Sequence, residues 1–194
     1  MSKTVRAAAV ALLTVLLVVP AVAGTSEGEG AALADRPPVP LFVEEAGTGV
    51  EHAYEGSWQF FTGGGVAVLD CDDDEFPDLY LAGGEAPAGL YRNTSELGGP
   101  LSFERLAVDP TDLSLVTGAY PLDVDGDAIT DLAVLRRGEN VLLRGLGGCA
   151  FERANEAWGF DGDDDWSTAF SATWEADAAL PTLAVGDYLT IVEA

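Results

Sequence analysis

The sequence predicts an all-β fold, a partial β-propeller of about three antiparallel blades, on three observations. First, an aspartate-rich loop of the form Asp-x-Asp-x-Asp-x-x-x-Asp occurs twice, at Asp70, Asp72, Asp74, Asp78 and at Asp123, Asp125, Asp127, Asp131, with corresponding residues 53 positions apart. Second, the flanks of the loops match. Gly-Val-Ala-Val-Leu (65–69) and Gly-Ala-Tyr-Pro-Leu (118–122) lead in, and Pro-Asp-Leu-Tyr-Leu (77–81) and Thr-Asp-Leu-Ala-Val (130–134) lead out. Third, apolar runs from Leu41 onward are short, β-branched or aromatic, and broken by Gly, Asp and Pro, with no convincing amphipathic helix. A repeat of about 50 residues is near the length of a propeller blade, where each repeat is one small antiparallel sheet.

The elements follow in order. Leu41 to Ala46 resembles the last strand of a blade, by comparison of Phe42-Val43-Glu44 with Phe103-Glu104-Arg105. The first complete repeat then runs through the first loop to Phe103-Glu104-Arg105, and the second ends on the matching Phe151-Glu152-Arg153. A third begins at Pro181-Thr182-Leu183-Ala184-Val185, but its loop positions have decayed to Trp174, Ala176, Ala178 and Thr182. Closed propellers hold about 4–8 blades. Two repeats and the start of a third therefore predict either a piece of a longer propeller or assembly with further copies of the chain.

The loops carry the chemistry. A tight turn can bring positions 1, 3 and 5 onto one hard cation. The carbonyls of position 7 (Phe76 and Ile129) and the carboxylates of position 9 (Asp78 and Asp131) complete the cage. Ca²⁺ takes about 6–8 oxygens in irregular geometry and suits such a loop better than Mg²⁺. The predicted metal residues are thus Asp70, Asp72, Asp74, Phe76 and Asp78, and Asp123, Asp125, Asp127, Ile129 and Asp131, for two Ca²⁺ sites. The third loop is expected to hold none. Asp161-Gly162-Asp163-Asp164-Asp165 lacks a ninth-position carboxylate and reads as an exposed acidic loop.

These motifs resemble the FG-GAP/VCBS calcium-binding repeat. Gly63-Gly64-Gly65-Val66-Ala67-Val68-Leu69-Asp70, with Leu90-Tyr91-Arg92-Asn93 downstream, is most similar in pattern to the cartilage-acidic-protein branch. The resemblance covers roughly residues 41–194 and implies that each loop joins the first two strands of a blade around one Ca²⁺. Position 6, usually Gly in that family, is Glu75 and Ala128 here. If it requires a left-handed backbone, a side chain there costs on the order of 1 kcal/mol.

Residues 1–23 read as a secretory signal peptide: Lys3 and Arg6 precede an apolar run from Ala7 to Val19, and Ala21-Val22-Ala23 offers a small-residue cleavage site. That run is shorter than the roughly 20 residues that span a bilayer. Residues 24–40 read as a flexible linker rich in Gly, Glu and Pro, and 41–194 as the propeller segment. Removing the leader takes Lys3 and Arg6, leaving seven basic residues against 33 acidic ones, a formal charge of −26. A chain so acidic excludes nucleic acid and anionic membrane surfaces as partners.

The remaining features are less directive. Cys71 and Cys149 permit a disulfide in an exported chain, and their places in the repeat leave the pairing open. His52, the sole histidine, cannot build a multi-histidine zinc site and reads as a loop residue. Asn93-Thr94-Ser95 matches a glycosylation sequon. Trp58, Trp158, Trp166 and Trp174 are expected to pack between blades or to stack on a glycan. Together these readings predict a non-catalytic, secreted or cell-surface calcium-binding protein whose propeller recognises an extracellular protein or glycan. The alternative is a propeller-scaffold enzyme acting on polysaccharide through a carboxylate pair.

Overall fold

The computed structural model describes residues 44–45, 47–61 and 64–189; the expected leader, the linker and most of the Leu41–Ala46 segment lie outside them. Apart from one 3₁₀ turn at Trp58–Phe60, the regular structure described is all strand. Among the described residues no helix is long and apolar enough to cross a membrane.

Among the described residues, ten strands form three antiparallel sheets. The first is a meander of β1 (Val66–Leu69), β2 (Asp78–Leu81), β3 (Gly89–Asn93) and β4 (Phe103–Leu106). The second repeats it as β5 (Val116–Leu122), β6 (Asp131–Arg136), β7 (Val141–Gly145) and β8 (Phe151–Arg153). The third is a hairpin of β9 (Trp166–Thr173) and β10 (Thr182–Leu189). In all three the first hairpin closes on the equivalent pair, Leu69 opposite Asp78, Leu122 opposite Asp131 and Thr173 opposite Thr182. The enclosed loops 70–77, 123–130 and 174–181 are therefore equal in length, although only two keep their aspartates. The third loop has lost the carboxylates at the four motif positions and kept its backbone plan.

Alternation explains the packing. Along β1, Val66 and Val68 face out while Ala67 and Leu69 are buried, as a period of two requires. Ala67, Leu69, Tyr80 and Leu90 of the first sheet meet Val116, Leu132, Val134, Val141 and Leu143 of the second in one continuous core. Along β6, Asp131 to Leu135 are all buried, because its other face packs on β9. The second sheet is thus covered on both faces, and the chain pattern of β6 is a near-continuous apolar run rather than an alternation. Trp166 of β9 is buried and makes edge-to-face contacts with Trp58 (5.6 Å) and Tyr188 (5.1 Å), whereas Trp174 is exposed at the third loop. One tryptophan of the four therefore anchors an aromatic cluster, and another lies free of the core.

Cys71 and Cys149 are joined by a disulfide, with Cα atoms 4.5 Å apart. The physical reason lies at position 2 of the loop. Its side chain at Cys71 reaches the β7–β8 turn of the next sheet, and at the same position of the second loop the buried Val124 lines an apolar cleft together with Leu180 and Leu183 of the third hairpin. The Cys149 N–H also donates to the Cys71 carbonyl at 2.8 Å. Chain-entropy theory for a bridge spanning 78 residues gives a stabilisation of about 4.5 kcal/mol, an upper figure for native bridges that typically contribute about 2–4 kcal/mol. The Cys71→Ser/Cys149→Ser variant should accordingly lose about 2–4 kcal/mol in urea unfolding, and unchanged stability would show that the two sheets hold each other without the bridge.

Candidate metal centre

Both acidic loops fold on the same scheme. The position-1 carboxylate caps the turn: Asp70 Oδ2 accepts the Glu75 N–H at 2.9 Å, and Asp123 Oδ2 accepts the Ala128 N–H at 3.0 Å. The position-5 carboxylate accepts from position 7, with Asp74 Oδ1 at 2.8 Å from Phe76 N and Asp127 Oδ1 at 2.9 Å from Ile129 N. Positions 4 and 6 adopt the left-handed region in each loop, at Asp73 (φ 61°) and Gly126 (φ 77°), and at Glu75 (φ 70°) and Ala128 (φ 66°). Asp and Gly tolerate that conformation, whereas Ala has neither a missing Cβ nor a polar group to ease it.

The position-9 carboxylates are fully buried and doubly tied to the backbone. Asp78 accepts the Cys71 N–H at 2.8 Å and the Asn93 N–H at 2.7 Å, one on each oxygen. Asp131 repeats this with Val124 at 2.7 Å and Gly145 at 2.8 Å. Each carboxylate thereby joins its loop to the third strand of its sheet. Sequence reasoning assigned these residues to the metal alone and missed this second role, because the partner on the third strand is set by register. Gly145 is itself constrained: a Cβ there would run into the Thr130 carbonyl and lie 2.8 Å from Ile129 Cγ2.

Carboxylate oxygens converge in both loops. Single oxygens of Asp70, Asp72 and Asp78 lie within 4.8 Å of one another, as do those of Asp123, Asp125 and Asp127. At position 3 of each loop, Asp72 Oδ1 and Asp125 Oδ1 are buried and have no hydrogen-bond partner. Burial raises the Asp72 pKa, repulsion from Asp74 and Asp70 raises it further, and Arg92 opposes both. In the second loop Arg144 intrudes. Its Nε lies 2.8 Å from Asp125 Oδ2, off the hydrogen-bond direction, and its Nη2 donates to Asp127 Oδ2 at 3.1 Å. A cleft of about 250 Å³, lined by Asp70, Asp72, Ala128, Ile129 and Gly147 among others, separates the two loops.

Outside the loops, Asp163, Asp165 and Asp187 form a further acidic cluster at the third sheet, with Asp187 accepting from the Ser167 hydroxyl at 2.6 Å. Sequence reading placed the first two in a wet loop and did not bring Asp187 to them, since β10 supplies it. Thr182, the last of the decayed third-loop positions, donates its hydroxyl to Glu175. His52 donates to or accepts nothing from the acidic loops; its Nε2 is 2.8 Å from the Ala82 carbonyl, a structural contact. The Asn93 side chain is buried, its Nδ2 donating to the Pro77 carbonyl at 2.9 Å, so the folded sheet offers the sequon no access. No protein-family model matches this sequence, and no curated protein matches it significantly.

Two outcomes follow from this geometry. Ala128→Gly should raise unfolding free energy by about 0.5–1 kcal/mol, read by urea titration, because it relieves the left-handed strain at a small unfolded-state cost. Burial, the largest cause, lifts the Asp78 and Asp131 pKa values above their ordinary range, with the backbone donors opposing. A carboxylate with a raised native pKa takes up its proton in the folded state first, so stability rises as pH falls through that pKa, until the unfolded chain also protonates near about 3.9. In chelator, the melting temperature should therefore climb as pH falls from neutral toward the ordinary carboxylate range, with a shallower slope in Asp131→Asn. A fall in stability over that range would contradict the assignment.

Proposed function

We propose that the two loops each hold one Ca²⁺ and that the ion acts structurally, stiffening a calcium-binding repeat protein of FG-GAP/VCBS type. The observation that carries this reading is the pair of orphaned oxygens, Asp72 Oδ1 and Asp125 Oδ1, buried at the same position of both loops. A buried carboxylate oxygen without a donor costs about 1–3 kcal/mol or more, and a cation is the partner that repays it. Asp70, Asp72, Asp74 and Asp78 would hold the first ion with the Phe76 carbonyl, and Asp123, Asp125, Asp127 and Asp131 the second with that of Ile129. The position-9 oxygens keep lone pairs beyond those used by their backbone donors. Bound Ca²⁺ would supply charge neutralisation and no reaction chemistry.

The equal loop lengths, the common closing pairs and the packing of successive sheets favour propeller blades as the reading of the three sheets. On that view the chain is a secreted or cell-surface module whose loops engage an extracellular protein or glycan. The strongly acidic composition argues against nucleic acid and anionic membranes as partners, and the uncovered outer face of β1, with Val66 and Val68 exposed, is compatible with self-association.

Extracellular calcium modules bind at about 10⁻⁴–10⁻³ M, and each site at ten times its Kd contributes about 1.4 kcal/mol. Two sites predict that millimolar Ca²⁺ raises the melting temperature by about 5–10 °C over chelator. Calorimetry should resolve two binding events, one lost in Asp72→Ala and the other in Asp125→Ala. A melting curve indifferent to calcium, together with a flat titration of the folded protein, would remove the proposal.

A further inference from the structure

The two repeats carry an equivalent cross-strand pair beside the acidic loop, and the two copies stand in different arrangements. Arg92 on β3 is directly opposite Glu104 on β4, and Arg144 on β7 directly opposite Glu152 on β8. In the first repeat the arginine is paired with its cross-strand glutamate, its Nη2 2.6 Å from Glu104 Oε2. In the second it is turned inward, onto Asp125 and Asp127, while its Nη1 stays 3.8 Å from Glu152 Oε1. All of these groups are at least partly solvated, so neither arrangement is locked by burial.

We propose that Arg144 and Glu152 form a two-position gate over the second loop, in which the guanidinium and a divalent cation compete for the Asp125 and Asp127 oxygens. The inference rests on the metal reading above and deepens it. A guanidinium occupies those oxygens from one side, and two cations cannot share them without strong repulsion. An entering Ca²⁺ expels the arginine, and Glu152 is already in place to receive it. The first repeat displays the receiving arrangement, with Arg92 held by Glu104. The gate makes the two loops unequal: the first binds its ion directly, and the second binds more weakly because it must first displace an internal cation. It also keeps the second loop's carboxylates partly neutralised by direct contact when calcium is scarce, whereas Arg92 acts on Asp72 of the first loop only through space.

The test is calorimetric titration of CaCl₂ into the purified protein and three variants. Arg144→Gln should tighten the weaker of the two events about tenfold, since it removes a competing charge in contact with the ligand oxygens. Glu152→Gln should weaken that same event several-fold, because the displaced arginine loses its acceptor. Arg92→Gln makes the same charge change at the equivalent place in the first repeat and should move either event by no more than about twofold. The opposite signs of the first two variants separate the gate from a folding defect, which would weaken both. Two wild-type events that Arg144→Gln leaves unchanged, or an Arg92→Gln effect as large as that of Arg144→Gln, would overturn the gate and leave the metal reading standing. Flat titrations for wild type and Arg144→Gln alike would overturn the metal reading, and the gate with it.

Discussion

Each four-stranded sheet depends on one buried carboxylate at the end of its acidic loop. Asp78 and Asp131 stand at the first residue of the second strand and accept one backbone N–H from the loop and one from the third strand. Three segments that share no ladder bonds at that point are tied through four oxygens in the two sheets. Burying a carboxylate is costly, and charge-assisted bonds to fixed backbone donors are among the few interactions strong enough to offset it. Asp78 lies with Asp70 and Asp72, and Asp131 feels the charges of Asp125 and Asp127, so the loops hold concentrated negative charge against the edge of an apolar core. A cation is the natural complement to such an arrangement, and in the second loop Arg144 already supplies a partial one.

The loops also organise the contact between sheets. Position 2 of the first loop, Cys71, forms a covalent bridge to the following sheet, and its counterpart Val124 is buried and lines a cleft shared with the third hairpin. The Asp78 Oδ2 that accepts the Cys71 N–H lies 3.9 Å from Cys149 Sγ, so Cys71, Asp78 and Cys149 form one buried unit at the base of the first loop. Order in the loop is thereby passed to the packing of the second sheet on the first.

Much of this was legible in the sequence because it is local or periodic. The strands flanking the loops follow from alternation around Ala67 and Leu69 and from the apolar run of β6, and the third hairpin from the similarity of Pro181 to Val185 to the earlier exits. The left-handed backbone at Glu75 and Ala128 was anticipated only as a condition that the family resemblance implied at a position usually occupied by Gly. What the sequence concealed depends on register and on the stacking of sheets. The pairing of Cys71 with Cys149 turns on which way position 2 points, the approach of Arg144 to Asp125 on a cross-strand neighbour, and the role of Asn93 on the depth of β3. Asp187 joins Asp163 and Asp165 only through the β9–β10 hairpin, 22 positions after Asp165.

The most direct measurement of the central claim is native-state amide hydrogen exchange at Cys71, Asn93, Val124 and Gly145, the four donors to the buried carboxylates, with and without calcium. If Asp78 and Asp131 anchor the loops as described and the loops take up the ion, these amides exchange as slowly as those of the central strands, and more slowly still in millimolar Ca²⁺. Exchange at the rate of exposed loop amides, unaltered by calcium, would contradict both the anchoring and the metal's part in it.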